Sequence, residues 1–287
     1  MSNDMKNFKN KKCLITGAAS GIGRATAIAL GNLEANLFLT DINSEGLKNT
    51  AQMIKKNGGV VSLIKAFDIS KYDDVKTFAD EIHKEFGSLD ILMNIAGTSV
   101  WGTVDQLTHG HWKKMIDVDL WGPIHGIECF IPQMIQAGNG GHLITVSSAA
   151  GLVAFPWHAA YSAAKWGILG ACEVLRYDLM QHNIDVTVVC PGAVDTPLKS
   201  TVEIVGVDKT HPEAKRLEEK FNKRTVTPEK VAQQIIKGIK KNKFLVFTSN
   251  DIKLLYWLKR KIFPLYHMVM KKLNKLLNEV AEITRKS

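Results

Sequence analysis

Tyr161 and Lys165 stand four residues apart in Tyr161-Ser162-Ala163-Ala164-Lys165, with Ser148 thirteen residues upstream of the tyrosine. If the segment is helical, positions i and i+4 share a face, so the phenol and the ammonium are neighbours. A free phenol has a pKa of about 10 and is a poor base at neutral pH. A cation beside it stabilises the phenolate and lowers that value. The Ser148 hydroxyl can hold a substrate oxygen. Together the three groups are equipped to move a proton to or from an alcohol oxygen while a hydride moves elsewhere.

Groups of this kind need a scaffold and a hydride partner. The segment Lys12-Cys13-Leu14-Ile15-Thr16-Gly17-Ala18-Ala19-Ser20-Gly21-Ile22-Gly23-Arg24 reads as an apolar strand, a glycine turn and a helix start. Gly17, Gly21 and Gly23, with Ser20 and Ile22 between them, allow a tight turn and a close approach of backbone to a pyrophosphate. The helix N-terminus then offers free N–H groups and a positive dipole end. A second apolar run, Ala35 to Thr40, ends in Asp41, 18 residues after Gly23. That is close to the roughly 20 expected of a ribose-binding acid. A carboxylate there accepts from ribose hydroxyls and repels a 2′-phosphate. Position 20 is Ser and position 42 is Ile, so neither offers that phosphate a cation. NAD(H) is expected over NADP(H).

From about Lys11 to Lys243 the chain resembles the short-chain dehydrogenase/reductase family. Thr16 to Gly23 is similar to its glycine motif, and Asn94-Ile95-Ala96-Gly97 to its element after the fourth strand. Pro191-Gly192-Ala193-Val194-Asp195-Thr196 is similar to its nicotinamide-contacting segment. The resemblance implies that Asp68 and Ile69 contact adenine and that Asn94, Ala96 and Gly97 border the cofactor. It further implies that Pro191, Gly192, Val194 and Thr196 meet the nicotinamide, and that Ser148, Tyr161 and Lys165 are catalytic, with Tyr161 and Lys165 also touching the cofactor. Ile95 replaces the family's second Asn. Asp119, within Asp117-Val118-Asp119-Leu120-Trp121-Gly122, stands where the family has its fourth catalytic residue, an Asn that holds a water leading to the lysine. An ionised Asp only accepts hydrogen bonds. If Asp119 is only a water-anchoring spacer, exchange for Asn is expected to leave activity unchanged or raise it; the other reading gives the carboxylate its own role, in charge balance near Lys165.

The rest of the chain fits one α/β domain with a doubly wound, Rossmann-like parallel sheet. Its 287 residues suit a single large core. Apolar runs at 12–16, 35–40, 60–67, 91–95, 142–147, 184–190 and 244–248 alternate with helical stretches. The domain is taken as 1–250 and a basic amphipathic helical tail as 251–287. Cys13, Cys129, Cys172 and Cys190 form no Cys-x-x-Cys pair and read as free thiols of a reducing compartment. No histidine has a ligand partner at metal spacing, so no metal site is expected. Met1 to Lys12 is polar, without a signal-peptide core. A cytoplasmic enzyme, homodimeric or homotetrameric, is expected.

Charge is uneven. Residues 237–287 hold 13 Lys or Arg and three Asp or Glu, a net of +10, so all of the chain's +9 lies there and the rest is net −1. No nucleic-acid motif accompanies it, and nucleic acid is not expected as a partner. In the tail, Ile252, Leu254, Leu255, Tyr256, Trp257 and Leu258 precede Lys259-Arg260-Lys261. Val269, Leu273, Leu276, Leu277, Val280 and Ile283 then recur at helical spacing among Lys271, Lys272 and Lys275. Two readings stand: the tail lies on an anionic membrane surface, or it docks on the domain or a partner subunit.

On the substrate side, family analogy points to Thr98–Trp101, the loop Val153 to His158, and a mobile lid from Pro197 to about Arg224. Phe155 and Trp157 make the middle loop unusually apolar, which suggests a pocket for a hydrophobic, lipid- or steroid-like alcohol or ketone; packing at a subunit interface is the other account. The reading is an NAD-dependent oxidoreductase interconverting a secondary alcohol and a ketone. A ketoacyl reductase is disfavoured by Asp41 and the long tail. A non-catalytic nucleotide-sensing scaffold is favoured only by Asp119.

Overall fold

Successive residues of the first two strands point to opposite faces, as the pleat dictates, and both faces are covered. Cys13, Ile15, Leu37 and Leu39 enter one apolar core, while Leu14 and Phe38 enter the other. Burial on both sides is what a parallel sheet wrapped by helices requires. The computed structural model describes residues 7–222 and 225–285. Met1 to Lys6 of the polar N-terminus, and Lys223 and Arg224 at the end of the expected lid, lie outside them.

In chain order the elements are β1 (Lys12–Thr16), α1 (Gly21–Gly31), β2 (Asn36–Asp41), α2 (Ser44–Lys56), β3 (Val60–Ala66), α3 (Tyr72–Phe86), β4 (Ile91–Asn94) and β5 (Val100–Trp101). Then come α4 (His109–Ile116), a π-helical turn (Asp117–Trp121), α5 (Gly122–Ala137), β6 (Gly141–Val146), α6 (Ala159–Asp178) and β7 (Ile184–Cys190). The last are α7 (Leu198–Thr201), β8 (Glu203–Ile204), α8 (Pro212–Asn222), α9 (Pro228–Lys240), β9 (Leu245–Phe247), α10 (Asn250–Lys261) and α11 (Phe263–Arg285).

The seven-stranded sheet runs β3-β2-β1-β4-β6-β7-β9, every pair parallel. Each of its strands coincides with an expected apolar run to within a residue or so. The order reverses between β1 and β4, and the loops leaving these two strands diverge there. In such sheets that is where ligands bind. Thr16 Oγ1 accepts from the backbone N–H of Ile95 and Ala96, at 3.0 Å each, and so ties the two strand ends together.

A second, two-stranded sheet joins β5 to β8. The segment expected to be a lid is folded into α7, β8 and α8. Cys13, Cys172 and Cys190 are buried and Cys129 is half-buried, all four as free thiols. Burial pushes the Cys172 thiol up to about 11 and that of Cys190 up to about 12.

The tail doubles back onto the domain. Tyr266 Oη of α11 accepts from the Ala154 N–H at 2.7 Å, and Lys259 Nζ of α10 donates to the Leu152 carbonyl at 2.9 Å. Lys259 also lies over the Trp166 ring, 3.8 Å from its centroid, a favourable cation–π geometry.

Candidate active site

The glycine turn is constrained by contact as much as by conformation. Gly17 has φ +72°, and a Cβ there would lie 2.8 Å from Ala96 Cα. A Cβ on Gly23 would lie 2.0 Å from the Gly17 carbonyl oxygen. Any side chain at either position therefore disrupts the turn or the switch point. Ser20 caps α1 without a side-chain hydrogen bond, which leaves the first N–H groups of the helix to an anion. Across the cleft Thr196 sits against Gly21.

Asp41 ends β2. Its Oδ2 accepts from the Ala19 N–H and its Oδ1 from the Asn43 N–H, both at 2.9 Å. These bonds fix the carboxylate beside the glycine turn, with lone pairs remaining for ribose hydroxyls. Arg24, the basic residue of the turn, is committed elsewhere: its guanidinium donates to Thr50 Oγ1 and to the Ala19 carbonyl.

Other expected cofactor residues fall around the same cleft. Asp68 Oδ1 accepts from Ser70 N–H, and Ile69 is buried against Gly122. Asn94 is buried, and its Nδ2 donates to the Pro123 carbonyl at 3.2 Å. Its side chain thus ties β4 to α5. Pro191 accepts from Ala149 N–H through its carbonyl, and Gly192 donates to Thr248 Oγ1. Val194 bridges to Val226.

The residues expected to carry the proton meet at the mouth of β6. Tyr161 and Lys165 share one face of α6, with Nζ 5.7 Å from the tyrosine ring centroid. Ser148 Oγ accepts from the Ala150 N–H at 3.1 Å, and its hydroxyl acts to pull the Tyr161 phenol down. Lys165 is 3% exposed and Asp119 fully buried, and Nζ lies 2.9 Å from Asp119 Oδ1. Nζ also donates to the Val146 carbonyl at 3.2 Å. Of the three N–H donors of an ammonium, one remains for a ligand hydroxyl. Asp119 Oδ1 also accepts from Thr98 N–H at 3.2 Å.

Of the two readings of Asp119, this contact favours charge balance near Lys165 over a water-anchoring spacer: the carboxylate meets the ammonium directly. The π-helical turn carries it there. Gly122 N–H bonds to the Asp117 carbonyl, five residues back, and turns of this kind often mark functional sites. Lys165 acts on Tyr161 in the expected direction, but burial outweighs it. Burial pushes the Tyr161 phenol up, Lys165 pulls it down, and Asp119 pushes it up again, so the net direction is upward. Burial alone would lower Lys165, but Asp119 and Tyr161 hold its ammonium above the usual lysine range.

Of the two aromatic substrate candidates, Phe155 is half-buried beside His158, at 5.8 Å between ring centroids. Trp157 is placed differently from a pocket lining. It is buried, has φ +68°, and its Nε1 donates to Asn278 Oδ1 of α11 at 3.0 Å. A bulky residue at such a φ costs of order 1–3 kcal/mol and persists only where its surroundings hold it. Here the holding bonds are that one and Gly102 N–H to the Trp157 carbonyl at 2.8 Å. Trp101 and His158, both within the segments expected around the substrate, neighbour the tyrosine and its loop, whereas Asn278 is a neighbour that sequence reasoning missed. Trp101 packs on His158 at 4.5 Å, His158 lies 6.3 Å from the Tyr161 ring, and Asn278 comes from the tail. Asn278 stands 121 residues from Trp157, so no local spacing links the two.

Comparison with known proteins agrees with this geometry. A family model described as short chain dehydrogenase matches residues 11–204. The oxidoreductase SadH of Mycobacterium tuberculosis is 33% identical over 253 residues, which cover 87% of this chain and 90% of the relative. The CLA biosynthesis dehydrogenase/reductase of Lactiplantibacillus plantarum is 32% identical over 260 residues, covering 86% and 91%. Among solved structures, a short chain dehydrogenase/reductase from Burkholderia phymatum in complex with NAD superposes with a TM-score of 0.79 at 25% identity, covering 90% of this chain and 96% of that one.

Proposed function

The chain belongs to the short chain dehydrogenase family, and from that premise we propose that it is an NAD-dependent oxidoreductase interconverting a secondary alcohol and a ketone on a hydrophobic substrate. The observation that carries the reading is the convergence of Ser148, Tyr161 and Lys165 at the strand ends beside an intact dinucleotide cradle.

The first turn of α1 would hold the pyrophosphate, Asp41 the adenosine ribose, and the free N–H of Lys165 the nicotinamide ribose. When bound, the dinucleotide supplies the hydride acceptor or donor. In oxidation Tyr161, as phenolate, takes the hydroxyl proton while Ser148 holds the oxygen. In reduction the phenol returns that proton to the forming alkoxide. Lys165 stabilises the phenolate, and Asp119 sets how strongly that stabilisation is felt. The apolar loop around Phe155, with Trp101 and His158 stacked beside it, suits an apolar ketone or alcohol.

The chain is also proposed to act as a cytoplasmic homo-oligomer. The outward face of α6 exposes Trp166, Val174 and Tyr177, more apolar surface than a lone solvated helix face normally shows. A smaller sedimentation coefficient for Val174→Lys with Tyr177→Lys is the expected result; an unchanged one would place the interface elsewhere.

Turnover of a panel of lipophilic secondary alcohols and ketones, assayed with NAD(H) and NADP(H), tests the reaction. NAD is expected to give the higher kcat/KM, because Asp41 meets a hydroxyl in one cofactor and a dianion in the other. Asp41→Ala is expected to narrow the preference. Equal or better kcat/KM with NADP in the unaltered protein would contradict the assignment, as would no turnover across the panel.

A further inference from the structure

The tail carries more apolar surface than its docking uses. Along α11, Tyr266, Met270, Val280, Ala281 and Thr284 are buried and Leu273 and Leu277 half-buried. Their spacing of three and four makes one helical stripe, which faces the domain and α8. A second stripe lies one residue earlier at each step, about 100° round the helix. It holds Leu265, Val269, Leu276 and Ile283, all exposed, with Lys272 and Glu279 between them.

At the junction with α10, Leu254, Trp257, Ile262 and Phe263 are exposed too, Phe263 at 58%. Among the described residues, nine of the twenty exposed large apolar side chains fall between Leu254 and Ile283. That share, from about a tenth of the chain, exceeds what scattered surface residues explain.

Charge identifies the occupant. Lys253, Arg260, Lys261, Lys271, Lys272 and Lys275 are exposed on the same two helices. A second copy related by a twofold axis would set this basic surface against itself, and like charges across an interface are costly. An anionic lipid surface attracts the lysines and accepts tryptophan, phenylalanine and leucine at headgroup depth.

We infer that α10 and α11 bind an anionic membrane surface through their uncovered stripe while the adjacent stripe stays docked on the domain. Docking and lipid binding, set against each other by the sequence, are two faces of one element. Among the described residues no helix is long and apolar enough to cross a membrane, so the contact is peripheral.

The test is cosedimentation of the full chain with phosphatidylcholine vesicles, with and without phosphatidylglycerol, at low and high salt. Binding is read without turnover, so its outcome is independent of the reaction. Binding is expected only with phosphatidylglycerol and is expected to weaken with salt, because exposed charges are screened over about 8 Å at physiological ionic strength. Lys271→Ala and Lys272→Ala are each expected to lower the partition coefficient roughly fivefold. Trp257→Ser with Phe263→Ser leaves the docked Tyr266 and Met270 in place and is expected to weaken binding further. No binding to anionic vesicles at low salt, or equal binding to both vesicle types, would overturn the inference. So would a smaller sedimentation coefficient for the lipid-free Trp257→Ser/Phe263→Ser protein, since a second copy would then cover the stripe.

Discussion

Tyr161→Phe is expected to cut turnover by about 10²–10⁴-fold, the usual contribution of a general acid–base group. The substitution removes one oxygen and keeps the ring. That ring lies 6.3 Å from His158 and near Lys165, so packing and cofactor affinity are expected to survive. Steady-state turnover, paired with dinucleotide titration by fluorescence, separates the two effects. A variant turning over within a few-fold of the parent would remove Tyr161 from the chemistry. A variant that lost cofactor binding in proportion would make it a binding residue instead.

Asp119 is expected to produce the largest effect on stability. Lys165 and Asp119 are both buried, 2.9 Å apart. Removing one partner of such a pair leaves an uncompensated charge and costs about 3–5 kcal/mol, whereas replacing both by apolar residues is often neutral or stabilising. Asp119→Leu is therefore expected to lose about that much in denaturant unfolding, and Asp119→Leu with Lys165→Met to recover most of it. If the single variant unfolds at the parent's denaturant concentration, the pair contributes nothing.

The isosteric variant Asp119→Asn also leaves the Lys165 charge uncompensated, but it keeps the side chain's shape and one oxygen acceptor, so its chemistry can be read beside its stability. Asp119 helps to hold the Tyr161 phenol up. Without its charge Lys165 acts on the phenol with less opposition, and the tyrosine pKa falls. Oxidation requires the phenolate, so activity rises with pH through that pKa. The acid limb of the oxidative kcat/KM profile is then expected to move to lower pH. An acid limb that stays in place would show that the reaction does not sense this carboxylate.

The seven long strands were legible because each is an apolar run between turn residues, and a parallel sheet buried on both faces has no other pattern to show. The glycine turn was legible because so few residues fit it. The β5–β8 pairing was not, since two residues such as Val100 and Trp101 carry no period. The π-helical turn at Asp117–Trp121 was also invisible: its extra residue per turn leaves ordinary helical composition. In the tail, helical spacing marked Leu273, Leu276, Leu277 and Val280 together as one apolar set. Only tertiary packing separates the row that docks from the row that does not. Trp157 illustrates the same limit. Its size and apolarity suggested a pocket or a packing surface, and its partner Asn278, 121 residues away, could not be read from either.

The buried thiols make the sheet a recorder of its own openings. Thiolates, not thiols, react with alkylating agents, and Cys13 and Cys190 are both buried and shifted well above the usual thiol range. Cys13 lies in β1 and Cys190 at the end of β7, on either side of β4 and β6. In the native state an electrophile has little to react with at either strand. Each label that accumulates marks an excursion in which that flank of the sheet came apart, and the ratio between the two cysteines reports which flank opens first. Proteins open in cooperative units of unequal stability. In this chain the nucleotide half and the half carrying the tail each hold a built-in counter.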